Sequence, residues 1–241
     1  MQTIKIDNSN LPKHIAIILD GNRRWAKRNN LTVREGHTEG AKNLEEISKF
    51  CNEIGIKYLT VYAFSTENWK RSKEEVATLM LILKAYFNSF SRKGVTQNIK
   101  INIIGERDNL EPSLLKEIDR VMKKTKDCTG LTLNIAFNYG GRQEILHAIK
   151  NIAQKIKRNE IEIADINQEM VADNIYTKGI PDPDLLIRTS GEFRISNFLP
   201  WQLAYTEFYF PNKHWPEFKN EDLIKAIEEY QTRNRRFGQD Q

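Results

Sequence analysis

Runs of β-branched and other apolar residues recur along the chain, separated by stretches in which apolar positions return every three or four residues. The first run, "IAIIL" at 15–19, contains no polar side chain, the pattern of a strand covered on both faces inside a parallel sheet. "KYLTVYAF" (57–64), "IKINIIG" (99–105), "LTLNIAFN" (131–138) and "LLIRT" (185–189) repeat it, and "AYTEFYF" (204–210) carries a weaker version. Helical spacing falls between them at 38–54, 73–93, 112–127, 141–158 and 167–176, and again at 219–236. This alternation predicts an α/β fold, a single domain over 1–241 with a mainly parallel central sheet, right-handed crossovers and flanking helices. No linker, repeat or low-complexity tract divides the chain.

The helix at 73–93 is unusual because "VATLMLILKAYFNSF" is apolar at 76, 77, 79–83, 85–87 and 90. Such a helix is either buried between the sheet and a neighbour, or turns one side toward a cavity for an apolar ligand. Composition does not choose between them.

Charge changes the picture little. The 37 basic and 32 acidic residues give a net charge of +5, which fits a lysine-rich surface or an anionic ligand better than a nucleic-acid partner. Cys51 and Cys128 stand alone, with no CxxC, so zinc and a disulfide framework are not expected and a reducing cytoplasm is. "MQTIKIDNSNLPK" lacks the apolar core of a signal peptide, and no stretch approaches the ~18 apolar residues of a membrane helix.

The candidate chemistry lies where strands end. "DGNRRW" follows the first strand and places Asp20, Gly21, Asn22, Arg23, Arg24 and Trp25 at its carboxyl end, where open α/β sheets gather ligands. Gly21 permits a tight turn, Asn22 is expected to cap a helix starting near Arg23, and that N-terminus with two arginines favours an anion. Asp20 is an anion in the same place, which a phosphorylated ligand with a bridging divalent cation resolves.

"YAFSTENWKR" (62–71) brings Ser65, Thr66, Glu67, Asn68, Trp69 and Arg71 to the end of another strand, and "GH" (36–37) places His37 at an expected helix start. The paired glycines of "NYGGRQEI" read as a turn or a phosphate cradle. Arg188, Arg194, Ile195 and Ser196 lie in "LLIRTSGEFRIS", and two arginines with a hydroxyl suit the forked oxygens of a diphosphate. Glu207 sits among aromatic residues, where it is paired, metal-bound or on a solvent-facing edge. GxSxG, HExxH and DDxxD are missing, and "PDPD" (181–184) reads as a rigid lead-in to a strand.

Taken together, "HIAIILDGNRRWAK", "GH", "YAFSTENWKR", "NIAFNYGGR", "IRTSGEFRISNFLPWQLAYTEFYF" and "WPEF" resemble the motifs of the cis-prenyltransferases, in the family's order, over 14–238. The resemblance implies a homodimer, a hydrophobic tunnel beside the sheet, and Mg²⁺ as cofactor. It implies repeated addition of isopentenyl diphosphate to an allylic diphosphate such as farnesyl diphosphate. The expected product is a long-chain Z-polyprenyl diphosphate, undecaprenyl diphosphate, a lipid-carrier precursor for cell-wall synthesis that is handed to a membrane.

By position, Asp20 matches the essential aspartate and Gly21, Asn22, Arg23, Arg24 and Trp25 the allylic diphosphate site, with His37, Arg34 and Arg71 nearby. Val33 stands where the family often has arginine, one residue before Arg34. Asn68 matches the residue that assists proton removal, with Ser65, Thr66, Glu67 and Trp69 beside the substrates. Arg188, Arg194, Ile195 and Ser196 match the isopentenyl diphosphate site and Glu207 a second metal contact beside Asp20. Arg235 or Arg236 is expected to reach the partner's site. The tunnel is expected to be walled by Leu79, Leu83, Phe87, Ala63 and Leu131. The alternatives are a short- or medium-chain synthase, a non-catalytic accessory subunit, and a basic nucleic-acid-binding protein.

Overall fold

The computed structural model describes residues 6–108 and 110–233. Strand β1 (His14–Ile18) is buried at every position, as its apolar run requires. The "PDPD" lead-in ties it down: the Asp184 carboxylate accepts from the backbone N–H groups of Lys13 at 2.7 Å and His14 at 3.0 Å. Helix α1 (Asn22–Arg28) follows directly.

Helix α2 (Val33–Glu53) begins five residues earlier than its apolar spacing predicts. Thr32 and Glu35 form a reciprocal capping box, each side chain taking up a backbone N–H at the start. His37 is therefore one turn inside α2, not at its N-terminus. After β2 (Tyr58–Ser65) a 3₁₀ turn over Thr66–Lys70 leads to α3 (Lys73–Thr96), capped by Ser72. Then come β3 (Lys100–Ile104), α4 (Pro112–Thr125), β4 (Thr132–Tyr139) and α5 (Gly141–Lys157).

Helix α6 (Gln168–Ala172) is shorter than its pattern, because the Tyr176 N–H is drawn away to the buried Glu144 carboxylate at 2.9 Å. Strands β5 (Leu185–Arg188) and β6 (Glu207–Tyr209) precede α7 (Asn220–Thr232). The weak 204–210 signal contracts to a three-residue edge strand, closed soon after by Pro211.

The six strands form one parallel sheet in the order β3-β4-β2-β1-β5-β6. Alternate residues split the core into two clusters. Ile15, Ile17, Val61, Ile135 and Ile187 pack with residues of α2, α3, α4 and α7, while Ala16, Ile18, Ala136 and Leu186 pack under Phe198, Leu199 and Leu203.

Candidate active site

The strand order reverses between β1 and β5: the chain leaves β1 toward β2 and leaves β5 toward β6. A crevice at the carboxyl ends is expected at that switch point. Ile18 is in register with Arg188, and Asp20 lies two residues further on. Gly21 holds φ 103°, and a Cβ there would come within 2.2 Å of Ser190 Oγ, so turn geometry and close approach both demand glycine. Gly21, not Asn22, is the N-cap residue of α1. The Asn22 amide instead donates to the Leu19 carbonyl at 3.2 Å.

The Asp20 main chain is clamped, its carbonyl accepting from Thr189 Oγ1 at 2.7 Å, Ser190 Oγ at 3.0 Å and the Trp215 N–H at 2.9 Å. Its carboxylate accepts from Arg188 at 2.9 Å and Arg24 at 3.0 Å. Burial pushes this carboxyl up, but Arg188 and then Arg24 outweigh it, and the net effect holds Asp20 below the usual carboxylate range.

Arg188 is only 4% exposed. Besides Asp20 it donates to the Arg194 carbonyl and, at 2.8 Å, to Ser196 Oγ. The loop that makes this possible carries Ser190, Ser196, Asn197 and Leu199 at φ between 49° and 76°. Such left-handed backbone costs on the order of 1 kcal/mol or more per non-glycine residue and concentrates at functional sites.

A second wall comes from the ends of β2 and α3. Asn68 Oδ1 accepts the Ser65 N–H at 3.0 Å, which fixes the amide. Glu75 accepts from Arg71 at 3.0 Å and lies 3.4 Å from Arg23 and 3.8 Å from His37. Burial, then Arg71, lowers His37 to about 4, so its imidazole is neutral at neutral pH. Glu192 pairs with both Arg24, at 2.6 Å, and Arg194. Five arginines, Arg23, Arg24, Arg71, Arg188 and Arg194, thus converge on the site, held by Asp20, Glu75 and Glu192.

Below this charged mouth lies a cavity of about 700 Å³. Its polar end is formed by Asp20, Asn22, His37, Asn68, Arg71, Arg188, Arg194 and Ser196, its apolar end by Ala63, Leu79, Leu83 and Ile135. A neighbouring hollow over Gly21, Arg23, Arg24 and Lys27 shares Asp20, Asn22, His37 and Arg71 with it. Three buried polar atoms at the mouth have no hydrogen-bond partner among the described residues: Asn22 Oδ1, His37 Nε2 and Arg188 Nε. Native interiors rarely leave such atoms unpaired, and a polar ligand would engage them.

The sequence model of a family described as "Putative undecaprenyl diphosphate synthase" matches residues 18–238. The chain belongs to the cis-prenyltransferase family. It is 50% identical to an isoprenyl transferase of Clostridium tetani over 97% of this chain and 92% of that protein. It is 47% identical to one of Listeria monocytogenes over 95% and 90%. Among solved structures it resembles lavandulyl diphosphate synthase of Lavandula x intermedia in complex with dimethylallyl diphosphate. There the TM-score is 0.93, with 39% identity over 96% of this chain and all of that one. It also resembles a probable undecaprenyl diphosphate synthase of Campylobacter jejuni, with a TM-score of 0.80 and 33% identity over 95% and 100%.

In this cis-prenyltransferase several expected site residues fall outside both hollows. Arg34 lies between α2 and α3 on the outer side, while Val33 borders the hollow over Gly21 and Arg23. Trp25 and Thr66 line neither hollow, and Ile195 packs on the opposite core cluster. The Trp69 indole N–H donates to Asn138 Oδ1 at 2.8 Å, and its ring borders a groove between α3 and α4.

Glu207 is the largest correction. It is in register with Leu185, three residues before Arg188, and its carboxylate accepts from Arg233 at 2.8 Å. Asp20 and Glu207 therefore do not share a metal site within this chain. Phe87 and Leu131 are fully buried core residues outside the cavity wall. The paired glycines cradle protein: a Cβ on Gly141 would meet Pro200 at 2.0 Å. Arg235 and Arg236 lie outside the described residues.

Asn197, Glu192, Glu75 and Tyr86 were missed by sequence reasoning. Asn197 was the most accessible of these, being adjacent to Ser196 in the quoted motif; its amide donates to Glu67 at 3.0 Å.

Among the described residues no cluster of three or more His, Cys, Asp or Glu side chains forms. Magnesium is commonly held by one or two carboxylates together with substrate phosphate oxygens. The half-buried Asp20 carboxylate, at an arginine-rich mouth and lining the same cavity as Asn22, has the donor chemistry for that arrangement.

Proposed function

We propose that the enzyme adds isopentenyl diphosphate repeatedly to an allylic diphosphate such as farnesyl diphosphate. The product is a long-chain Z-polyprenyl diphosphate, undecaprenyl diphosphate, made with Mg²⁺ held by Asp20 and substrate oxygens. What carries the reading is one cavity that joins an arginine-rich mouth to an apolar interior. That shape suits a molecule with a diphosphate head and a hydrocarbon tail.

Arg23, Arg24, Arg71 and the α1 N-terminus hold the allylic diphosphate. Arg188, Arg194 and Ser196 hold isopentenyl diphosphate. As the allylic C–O bond breaks, its electron pair goes to the departing diphosphate, and a new C–C bond forms to the terminal carbon of the acceptor. Preplaced guanidinium and N–H groups stabilise the charge that grows on the leaving group. Bound magnesium supplies further neutralisation of that charge. The bond leaves a cation on C3 of the isopentenyl unit, and loss of a C2 proton to a diphosphate oxygen forms the new double bond and completes the step, with Asn68, its amide fixed by the Ser65 N–H, placed to assist.

Each added five-carbon unit gains on the order of 3–4 kcal/mol on burial, from ~0.8 per CH₂, which draws the tail inward as the head returns. A homodimer belongs to the same reading, as does delivery of the product to a membrane; no described helix is long and apolar enough to cross one. A short- or medium-chain product is the second reading, favoured by the close fold match to a synthase holding dimethylallyl diphosphate. Incubation with farnesyl diphosphate, labelled isopentenyl diphosphate and Mg²⁺, with a chelated control, followed by sizing of the products, decides between them. Absence of elongated product would overturn the proposal.

A further inference from the structure

Ser196 and Asn197 are consecutive non-glycine residues in left-handed backbone, at φ 49° and 66°. Such a pair persists only where its surroundings over-determine it. Ser196 is fixed by the Arg188 guanidinium, which donates to its Oγ at 2.8 Å, and by the Tyr62 hydroxyl, 3.4 Å from its carbonyl oxygen. Asn197 is fixed by two other elements, the start of α5 and the turn that carries Asn68.

Helix α5 has no side-chain cap of its own, since Gly140 precedes it. Asn197 supplies one from 55 residues away. Its carbonyl accepts the Gly141 N–H at 2.8 Å and its Oδ1 the Arg142 N–H at 2.9 Å, two of the donors that a helix start leaves without an internal partner. Its Nδ2 donates to Glu67 Oε1 at 3.0 Å and to Gln143 Oε1 at 3.3 Å. The first of the paired glycines makes room for this amide: a Cβ on Gly140 would come within 3.0 Å of Asn197 Nδ2 and closer still to Gln143 Oε1.

The amide is fully engaged. Both Nδ2 hydrogens have acceptors, and Oδ1 is itself an acceptor with nothing to offer a phosphate oxygen. Asn197 lines the main cavity, yet its side chain has no donor to spare for a substrate. Its contacts instead tie two parts of the site together. Ser196, the residue before it, stands with Arg188, and Glu67 directly precedes Asn68 in the Thr66–Lys70 turn.

We propose that Asn197 is a positioning residue that braces the isopentenyl diphosphate site against the turn carrying Asn68. The inference rests on the assignment of Arg188, Arg194 and Ser196 to isopentenyl diphosphate made above. The Oδ1 end holds the backbone that turns Ser196 toward Arg188, so its loss weakens capture of that substrate. The Nδ2 end holds the turn through Glu67, so its loss misplaces Asn68 after both substrates are bound.

The two ends separate in a comparison of kcat with the KM values for isopentenyl and farnesyl diphosphates, with the thermal unfolding midpoint as control. Asn197→Ala removes both ends. It is expected to raise the KM for isopentenyl diphosphate about tenfold and to lower kcat by a similar factor, with the KM for farnesyl diphosphate unchanged. Asn197→Gly, at ease in left-handed backbone, gives the same comparison where the alanine variant folds poorly. Asn197→Asp keeps the acceptor for α5 but turns a carboxylate toward Glu67, so kcat is expected to fall while the KM for isopentenyl diphosphate stays near wild type. Adding Glu67→Gln, whose amide can donate to that carboxylate, is expected to recover kcat to the level of Glu67→Gln alone.

A KM for isopentenyl diphosphate unchanged in both Asn197→Ala and Asn197→Gly overturns the brace. So does a rise in both KM values together with a lowered unfolding midpoint, the mark of a residue that merely stabilises the fold. Wild-type enzyme that does not elongate farnesyl diphosphate overturns the assignment of the substrate site instead, so the two failures are distinguishable.

Discussion

The two faces of the same sheet are filled in different ways. On one, Ala16, Ile18, Ala136 and Leu186 are roofed by Phe198, Leu199 and Leu203. Beside them the fully buried Glu144 takes donors from Tyr139, Gln202 and the Tyr176 backbone. On the other, the later halves of α2 and α3 pack solidly through Ile47, Cys51, Phe87 and Phe90, but their earlier halves stand off and leave the cavity. Protein interiors close-pack by default, so an open face has to be held open. The solid face does this: the segment that roofs it also carries Ser196 and Asn197, whose strained backbone persists because the surrounding packing over-determines it.

The sharpest way to break the contrast is Asp20→Ala. It removes the carboxylate at the mouth without touching the roofed face, and turnover is expected to fall on the order of 10³-fold with the thermal unfolding transition retained. Near-normal turnover at saturating Mg²⁺ would remove Asp20 from the chemistry.

Acid challenges both faces together. Burial lowers His14, on the roofed face, to about 4, and burial with Arg71 does the same to His37 on the open one. In the unfolded chain both take a proton near 6.5, so their contribution to stability is complete above that pH and is lost as the pH falls toward 4. Each is worth about 3 kcal/mol over the full window. Urea midpoints measured between pH 7 and pH 4.5 should drop, and His14→Gln should flatten that dependence by roughly half. An unchanged slope would mean that His14 is charged in the folded protein.

Arg194→Ala should leave both faces intact and raise the KM for isopentenyl diphosphate about tenfold or more, the loss of a charged hydrogen bond. An unchanged KM would mark it as a surface arginine. The smallest effect is expected from Ala63→Leu, which adds volume to the cavity wall and should shorten the products by about one unit. An identical ladder would mean that the tail does not run along β2.

Much of the fold was legible beforehand because buried parallel strands are continuous apolar runs, and those at 15–19, 57–64 and 131–138 lie within a residue of β1, β2 and β4. The gathering of Asp20, Asn68, Arg188, Arg194 and Ser196 around one cavity was legible as well, since each ends a strand or lies in the segment that follows one. Glu207 was misplaced for a physical reason. Its neighbours announce an edge strand but not the register of that strand, and the pairing with Leu185 sets Glu207 well before the strand ends that gather at Asp20. The apolar helix at 73–93 left two readings open, and both hold in part: Phe87 and Phe90 are core, whereas Leu79 and Leu83 border the cavity.

Sequence alone determined which residues form strands, which turns need glycine and which side chains bring charge to the strand ends, because these follow from local backbone chemistry and periodicity. Only the tertiary structure decided which charges meet. Asp20 finds Arg188 across 168 residues of chain, Glu192 lies between two arginines, and Asn197 joins the start of α5 to the turn that carries Asn68. Such meetings depend on strand order and on how far two helices stand apart, quantities that arise only when the whole chain is packed.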